Sequence, residues 1–211
     1  MHPKVKICGM TSAETIQTAI KHKVDYLGFV FYPKSPRNLS PKQATILIKD
    51  IPDHISKVAV IVDETDQFIN YIQKDFDYFQ LHGNEDVKRI KEIRQKFNKK
   101  IIKVIKVTNE DSAKTYGQYG DEVDMFLFDS PAMEKSAKFD WQILTKLKIA
   151  KPYLVAGSIN INNVDEVLKY NPYGIDISGG VESRPGLKTN EKIIEFLDKV
   201  KSWLEYKKED P

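Results

Sequence analysis

The stretch Lys4-Val5-Lys6-Ile7-Cys8-Gly9-Met10 decides how the rest of the chain is read. Its β-branched Val5 and Ile7, bounded by polar or turn residues, read as a short buried strand that stops at Gly9. Thr11 and Ser12 follow, with Glu14 and a helical pattern behind them, which reads as a tight turn and a capped helix start. Cys8, the single cysteine of the protein, is thereby placed at the carboxyl end of a first strand. In parallel α/β proteins ligands bind at that end. A lone thiol there serves as nucleophile, as base or simply as a small core residue.

The same strand-then-helix alternation continues outward from this stretch. Strands are expected at Tyr26–Phe31, Val58–Val62, Tyr78–His82, Ile101–Val107, Met125–Phe128, Tyr153–Ala156 and Gly174–Ile177. Helices are expected over Ser12–His22, from Ser40-Pro41 onward, around Phe68, Ile69 and Ile72, and over Glu85–Phe97, Glu110–Tyr119, Phe139–Lys146, Asn163–Tyr170 and Asn190–Glu205. Pro33 and Pro36 keep Tyr32–Asn38 a loop. Eight such units with no linker in 211 residues fit one α/β domain spanning 1–211, a (β/α)8 TIM barrel, better than an open doubly wound sheet. No G-x-G-x-x-G follows the first strand, which speaks against a dinucleotide site.

Composition narrows the function. Hydrophobic residues make up 41% and charged residues 30%, and the net charge is only +3. Neither nucleic acid nor a membrane surface is expected as a partner. One cysteine and four scattered histidines give no zinc-like spacing. The start of the chain has no signal-like apolar run, no stretch is long enough to span a bilayer, and a cytoplasmic protein is expected.

A barrel gathers the residues just past its strand ends on one rim. Those positions are Cys8, Arg37, Asp63, His82, Lys106, Asp129, Gly157-Ser158 and Ser178-Gly179-Gly180. The two glycine turns follow the last two strands, where barrels frequently bind phosphate through backbone N–H groups. Asp129 closes an apolar strand, and a dry setting would raise its proton affinity toward that of a general acid. Cys8 would need a nearby cation such as Lys6, Lys106 or Arg37 to act as a base. Arg37 suits bidentate contact with a carboxylate. Gln80 and His82 point the same way from one strand, either to substrate or to fix their neighbours. Lys103 and Lys106 keep a Schiff-base aldolase open as an alternative. A different phosphosugar isomerase and a non-catalytic phosphate-binding barrel are the others.

Taken together, Lys6-Ile-Cys-Gly9, Gly28 through Arg37, Gln80-Leu-His-Gly83, Phe128-Asp-Ser130, Val155-Ala-Gly157 and Ser178-Gly-Gly-Val-Glu182 with Pro185-Gly186 resemble the phosphoribosylanthranilate isomerases of tryptophan biosynthesis. The resemblance implies a cofactor-free, metal-free barrel that performs an Amadori rearrangement on a small phosphosugar substrate. It implies Asp129 as general acid, Cys8 as general base, Arg37 on the anthranilate carboxylate with Gln80 and His82 beside the substrate, and Gly157, Ser158, Gly179 and Gly180 around the phosphate. The sequence sets no oligomeric state beyond monomer or homodimer. The chain departs from the family pattern at Ser158 and Gly179, at Thr189 after Lys188, and at Asp63. The first three touch the phosphate grip, which backbone donors are expected to preserve.

Overall fold

A computed structural model describes residues 2–131 and 139–209, the last six of these as helical backbone only. Eight parallel strands close into a barrel in chain order: β1 Lys4–Cys8, β2 Tyr26–Phe31, β3 Ser56–Ile61, β4 Tyr78–Leu81, β5 Lys100–Lys106, β6 Met125–Asp129, β7 Tyr153–Val155 and β8 Gly174–Ile177. Closure is made by β1 against β8, where Lys6 stands beside Asp176 and Ile7 beside Ile177. The strands are buried on both faces over most of their length. Their side chains alternate between two cores. Tyr26, Val30, Val58, Val60, Tyr78, Ile102, Val104, Leu127 and Leu154 fill the barrel with Cys8. Ile7, Leu27, Phe29, Phe79, Ile101, Phe128 and Val155 pack outward against the helices.

The helices are α1 Ala13–Lys21, α2 Pro41–Ile48, α3 Asp66–Ile72, α4 Val87–Phe97, α5 Glu110–Lys114, α6 Val164–Leu168 and α7 Asn190–Glu209. Ser40 caps α2 through a reciprocal capping box with Gln43, with Pro41 at the first helical position as expected. Three local expectations need correction. Ser12 precedes α1, but its side chain makes no capping bond; its carbonyl instead accepts from the Thr15 hydroxyl at 3.1 Å. The fifth helix does not reach Tyr119. It ends at Lys114 and continues as 3-10 turns to Glu122, broken at Gly120, whose φ of 48° no helix accommodates. The segment before β7 is likewise a 3-10 turn, Trp141–Lys146, rather than an α-helix.

After β8 a short 3-10 turn, Gly179–Val181, leads into a small hairpin of β9 Glu182–Arg184 and β10 Leu187–Lys188. Gly186 sits at its tip with φ 84°, and a Cβ there would lie 2.5 Å from the Pro36 carbonyl oxygen. The hairpin therefore rests on the proline-stiffened loop after β2. Among the described residues no helix is long and apolar enough to cross a membrane.

Candidate active site

All the strands run the same way, so Cys8 at the end of β1 and Asp129 at the end of β6 open on one rim of the barrel. Both belong to the inward-facing alternation of their strands. Below them lies a buried charge pair inside the barrel. Lys6 Nζ donates to Asp176 Oδ1 at 2.9 Å, and Lys6 is completely buried. Gly28 of the neighbouring strand makes room for this arrangement. A Cβ there would fall 2.9 Å from Cys8 Sγ and 3.2 Å from Lys6 Nζ, so thiol and ammonium flank one point.

The proton affinities follow from this packing. Burial, reinforced by the Asp176 carboxylate, pushes Asp129 up from 3.8 to about 7, against smaller opposing effects of the Ser130 N–H, Lys6 and Lys106. Burial also pushes the Cys8 thiol up, more than Lys6 brings it down. For Lys6, burial acts downward, but Asp176 and Cys8 outweigh it and hold the ammonium above its ordinary range. His82 lies with Nε2 3.7 Å from Asp129 Oδ2. Burial and the charges of Lys106, Lys6 and Lys103 depress it to about 4, so it is neutral at pH 7. Gln80 Nε2 lies 3.4 Å from His82 Nδ1, while its buried Oε1 has no hydrogen-bond partner among the described residues. Gln80, His82 and Asp129 thus form one row across the rim.

Arg37 arrives from the loop after β2. Gly9, at φ 76°, lets it pass: a Cβ there would lie 2.3 Å from Arg37 Cδ. The guanidinium is already gripped by a carboxylate of the chain. Nε and Nη2 donate to Glu182 Oε1 and Oε2, each at 2.7 Å. Glu182 also accepts from Lys188 Nζ at 2.9 Å and from the Gly186 N–H at 3.2 Å. Lys188 is buried and donates as well to the Ser178 carbonyl at 3.2 Å.

The two late turns meet. A Cβ on Gly180 would lie 2.2 Å from the Ile159 carbonyl oxygen, and one on Gly157, at φ 88°, would lie 2.3 Å from Ser130 Oγ. Ser158 adopts the left-handed φ of 54° that glycine takes without cost. Its carbonyl is held by the side-chain amides of Asn160 and Asn163 at 3.1 and 2.9 Å. Gly179 faces open space, with Arg37 Nη2 3.8 Å from where its Cβ would stand. Asp63 takes φ 51° and accepts the Asn84 N–H at 2.7 Å, a turn-closing role outside the mouth.

The two lysines kept open as Schiff-base candidates part ways. Lys103 alternates outward, away from the barrel interior. There its ammonium donates to Glu85 Oε2 at 2.8 Å and to the Gly83 carbonyl at 2.9 Å, while Glu85 Oε1 takes the N–H groups of Asp63 and Gly83. It is a structural bridge under the loop that carries His82. Lys106 is exposed at the end of β5, beside Asp129 in register. Glu182, Lys188 and Asp176 are site residues that strand-end reasoning passed over. Among the described residues no cluster of His, Cys, Asp and Glu is arranged to hold a metal.

The profile of the family described as N-(5'phosphoribosyl)anthranilate (PRA) isomerase matches residues 5–199. The chain belongs to the phosphoribosylanthranilate isomerase family. Its N-(5'-phosphoribosyl)anthranilate isomerase relative from Zymomonas mobilis is 35% identical over 209 residues, covering 95% of this chain and 99% of the relative. The one from Bradyrhizobium diazoefficiens is 37% identical, over 92% and 91%. The crystal structure of the Thermotoga maritima isomerase superposes with a TM-score of 0.86 at 30% identity, covering 95% of this chain and 99% of that one. An isomerase of this family crystallised with reduced 1-(o-carboxyphenylamino)-1-deoxyribulose 5-phosphate gives 0.83 at 30% identity, over the same shares. The Thermotoga isomerase is described as dimeric. A thiamine phosphate pyrophosphorylase at 18% identity and a TM-score of 0.71 shares the isomerase barrel only.

Proposed function

We propose that the rim just described performs the isomerase reaction of the family, converting N-(5-phosphoribosyl)anthranilate to 1-(2-carboxyphenylamino)-1-deoxyribulose 5-phosphate in tryptophan biosynthesis, with Asp129 as acid and Cys8 as base. The observation that carries the reading is the pairing, at one barrel mouth, of a carboxyl held near neutrality with a buried thiol beside an ammonium. Asp129 gives its proton to the furanose ring oxygen. The bond from C1 to that oxygen breaks, and the anilino nitrogen lone pair forms C=N. The Cys8 thiolate then takes the proton from C2, giving an enolamine. Loss of the enol hydroxyl proton and uptake of a proton at C1 yield the ketone. The cycle ends with Asp129 ionised and Cys8 protonated, so one proton must pass back between them through solvent before the next turnover.

Each such proton transfer is typically worth about 10²–10⁴-fold. The reaction needs two anion grips and no redox centre. Gly157, Ser158, Gly179 and Gly180 supply backbone donors for the phosphate, on turns whose contact demands the missing Cβ of Gly180. Arg37, pinned along one edge by Glu182, offers its remaining N–H groups to the anthranilate carboxylate. Gln80 and His82 order the ground beside Asp129, with neutral His82 as a hydrogen-bonding rather than a charged partner. The bridging role of Lys103 removes it from a Schiff-base reading. A reducing compartment such as the cytoplasm suits a site built on one free thiol.

The direct test is incubation of the purified protein with N-(5-phosphoribosyl)anthranilate, followed through loss of the anthranilate-type fluorescence. Saturable loss far above the spontaneous rate is expected, and loss at the spontaneous rate rejects the assignment. The Arg37 grip is tested separately. Glu182→Gln is expected to raise KM about tenfold, the value of roughly 1.4 kcal/mol from a loosened bidentate pair, while kcat changes little. An unchanged KM in steady-state kinetics removes Glu182 from the grip.

A further inference from the structure

The mechanism sets the Lys6 ammonium beside the thiol but gives its buried partner Asp176 no task. Lys6 and Asp176 are neighbours in the β1–β8 register, both face inward, and their ion pair lies beneath the two reacting side chains. Removing charges from water inside a barrel is costly, and well-packed apolar residues often serve stability as well or better. The pair also has a direction. Its ammonium stands beside the Cys8 thiol at the Gly28 gap, and its carboxylate belongs to β8, which is one strand nearer than β1 to the β6 strand that ends in Asp129.

We propose that Lys6 and Asp176 are positioning residues that act as an oriented internal dipole, ammonium toward Cys8 and carboxylate toward Asp129, favouring the arrangement in which Asp129 holds the proton and Cys8 does not. The inference rests on the reading of Asp129 as acid and Cys8 as base. The reaction starts from that arrangement, yet burial alone favours its opposite: the carboxyl at about 7 releases its proton before the thiol does. Among singly protonated molecules the productive form is therefore the minority. Every pH unit by which the two affinities are brought together enlarges it tenfold.

The surroundings of each group agree with this direction. Around Cys8 the charged neighbours are Lys6, Asp176, Lys188 and Arg37. After burial, Lys6 acts on the thiol more strongly than Asp176, so the pair as a whole draws the thiol down. Around Asp129 they are Asp176, Lys6 and Lys106, with neutral His82 at 3.7 Å. There Asp176 acts more strongly than Lys6, so the pair as a whole lifts the carboxyl. One ion pair thus moves the acid up and the base down. A pair placed only for stability carries no such requirement on its orientation.

The full-length double variant Lys6→Met/Asp176→Asn removes both charges while nearly keeping side-chain size, so neither partner is left as an uncompensated buried charge. With a single cysteine in the chain, cysteine labelled with ¹³C at Cβ gives one NMR signal whose titration reports Cys8 without any assay of activity. The double variant is expected to raise the thiol midpoint by about one pH unit. It is also expected to lower the acid limb of kcat/KM and reduce kcat/KM at neutral pH about ten- to hundredfold. Asp176→Asn alone leaves the ammonium facing the thiol and is expected to lower the midpoint. An unmoved thiol midpoint in the double variant, or a rise in Asp176→Asn, overturns the proposal, even if activity falls. Wild-type protein that fails to turn over N-(5-phosphoribosyl)anthranilate while the midpoints move as stated overturns the acid/base reading instead.

Discussion

Asp129→Asn is expected to lower kcat by about 10³-fold or more while raising stability above neutral pH. The activity loss follows because Asn has no proton to give to the ring oxygen, and one positioned acid contributes about 10²–10⁴-fold. Cys8→Ala is expected to fall by a similar factor at the second proton transfer. The two losses combined should be much smaller than their product, because the groups act in one cycle. KM should change little in either variant, since phosphate and carboxylate grips remain. The stability gain has a definite pH window. A carboxyl with its folded-state affinity raised from 3.8 to about 7 binds more protons folded than unfolded between those values. Stability of the wild type therefore falls as pH rises from about 4 to about 7, and is flat on this account above that. Asn escapes that loss. At 1.36 kcal/mol per pH unit the gain is at most about 4 kcal/mol, and less in practice because the Asp129 side chain is 19% exposed. Thermal unfolding at pH 5 and pH 8 checks it: the variant's advantage should be several degrees larger at pH 8. Equal advantages at the two pH values, or kcat within tenfold of wild type, would sink the assignment of Asp129.

Lys103→Met is expected to lose about 3–5 kcal/mol of folding stability, the cost of leaving a buried partner charge uncompensated. The partner is Glu85. Lys103 and Glu85 side chains are only 2% and 3% exposed, and the pair ties β5 to the loop between β4 and α4 through the carbonyl and N–H of Gly83. A Cβ on Gly83 would lie 2.4 Å from Asp63 Oδ1, so this loop has no slack to take up the change. Urea unfolding measures the loss directly. Lys103→Met/Glu85→Gln should recover most of it, because Gln retains the oxygen that accepts from Asp63 and Gly83. A single variant within about 1 kcal/mol of wild type would mean that water reaches the pair. Such a variant would also show whether the loop that presents His82 is held by this bridge or by the barrel itself.

The contrast between Lys103 and Lys106 shows where reading the sequence stops. Both occur in one strand of Ile and Val, and a strand buried on both faces carries no period-two hydrophobic signal. Which lysine enters the barrel is therefore not written in the local pattern, although the strand itself is. The same holds for Lys6 and Asp176. Lys6 shares β1 with Lys4, Asp176 is the one charge of β8, and only the β1–β8 closure makes Lys6 and Asp176 partners 170 positions apart. Glu182 lay within the motif that resembles the family, but nothing local distinguishes a carboxylate that pins an arginine 145 positions away from one on the surface. The fifth helix stops at Lys114, short of the expected Tyr119, because the polar pattern runs into Gly117 and Gly120.

The sequence by itself determined the eightfold alternation, the closed parallel barrel, and the strand ends where Cys8, His82 and Asp129 emerge. These follow from apolar runs, turn residues and loop prolines, which act over a few positions. The tertiary structure alone decided which charges face inward, which carboxylate holds Arg37, and how far burial lifts Asp129. Those depend on fields and contacts across the barrel, where closure brings together side chains that the chain keeps far apart.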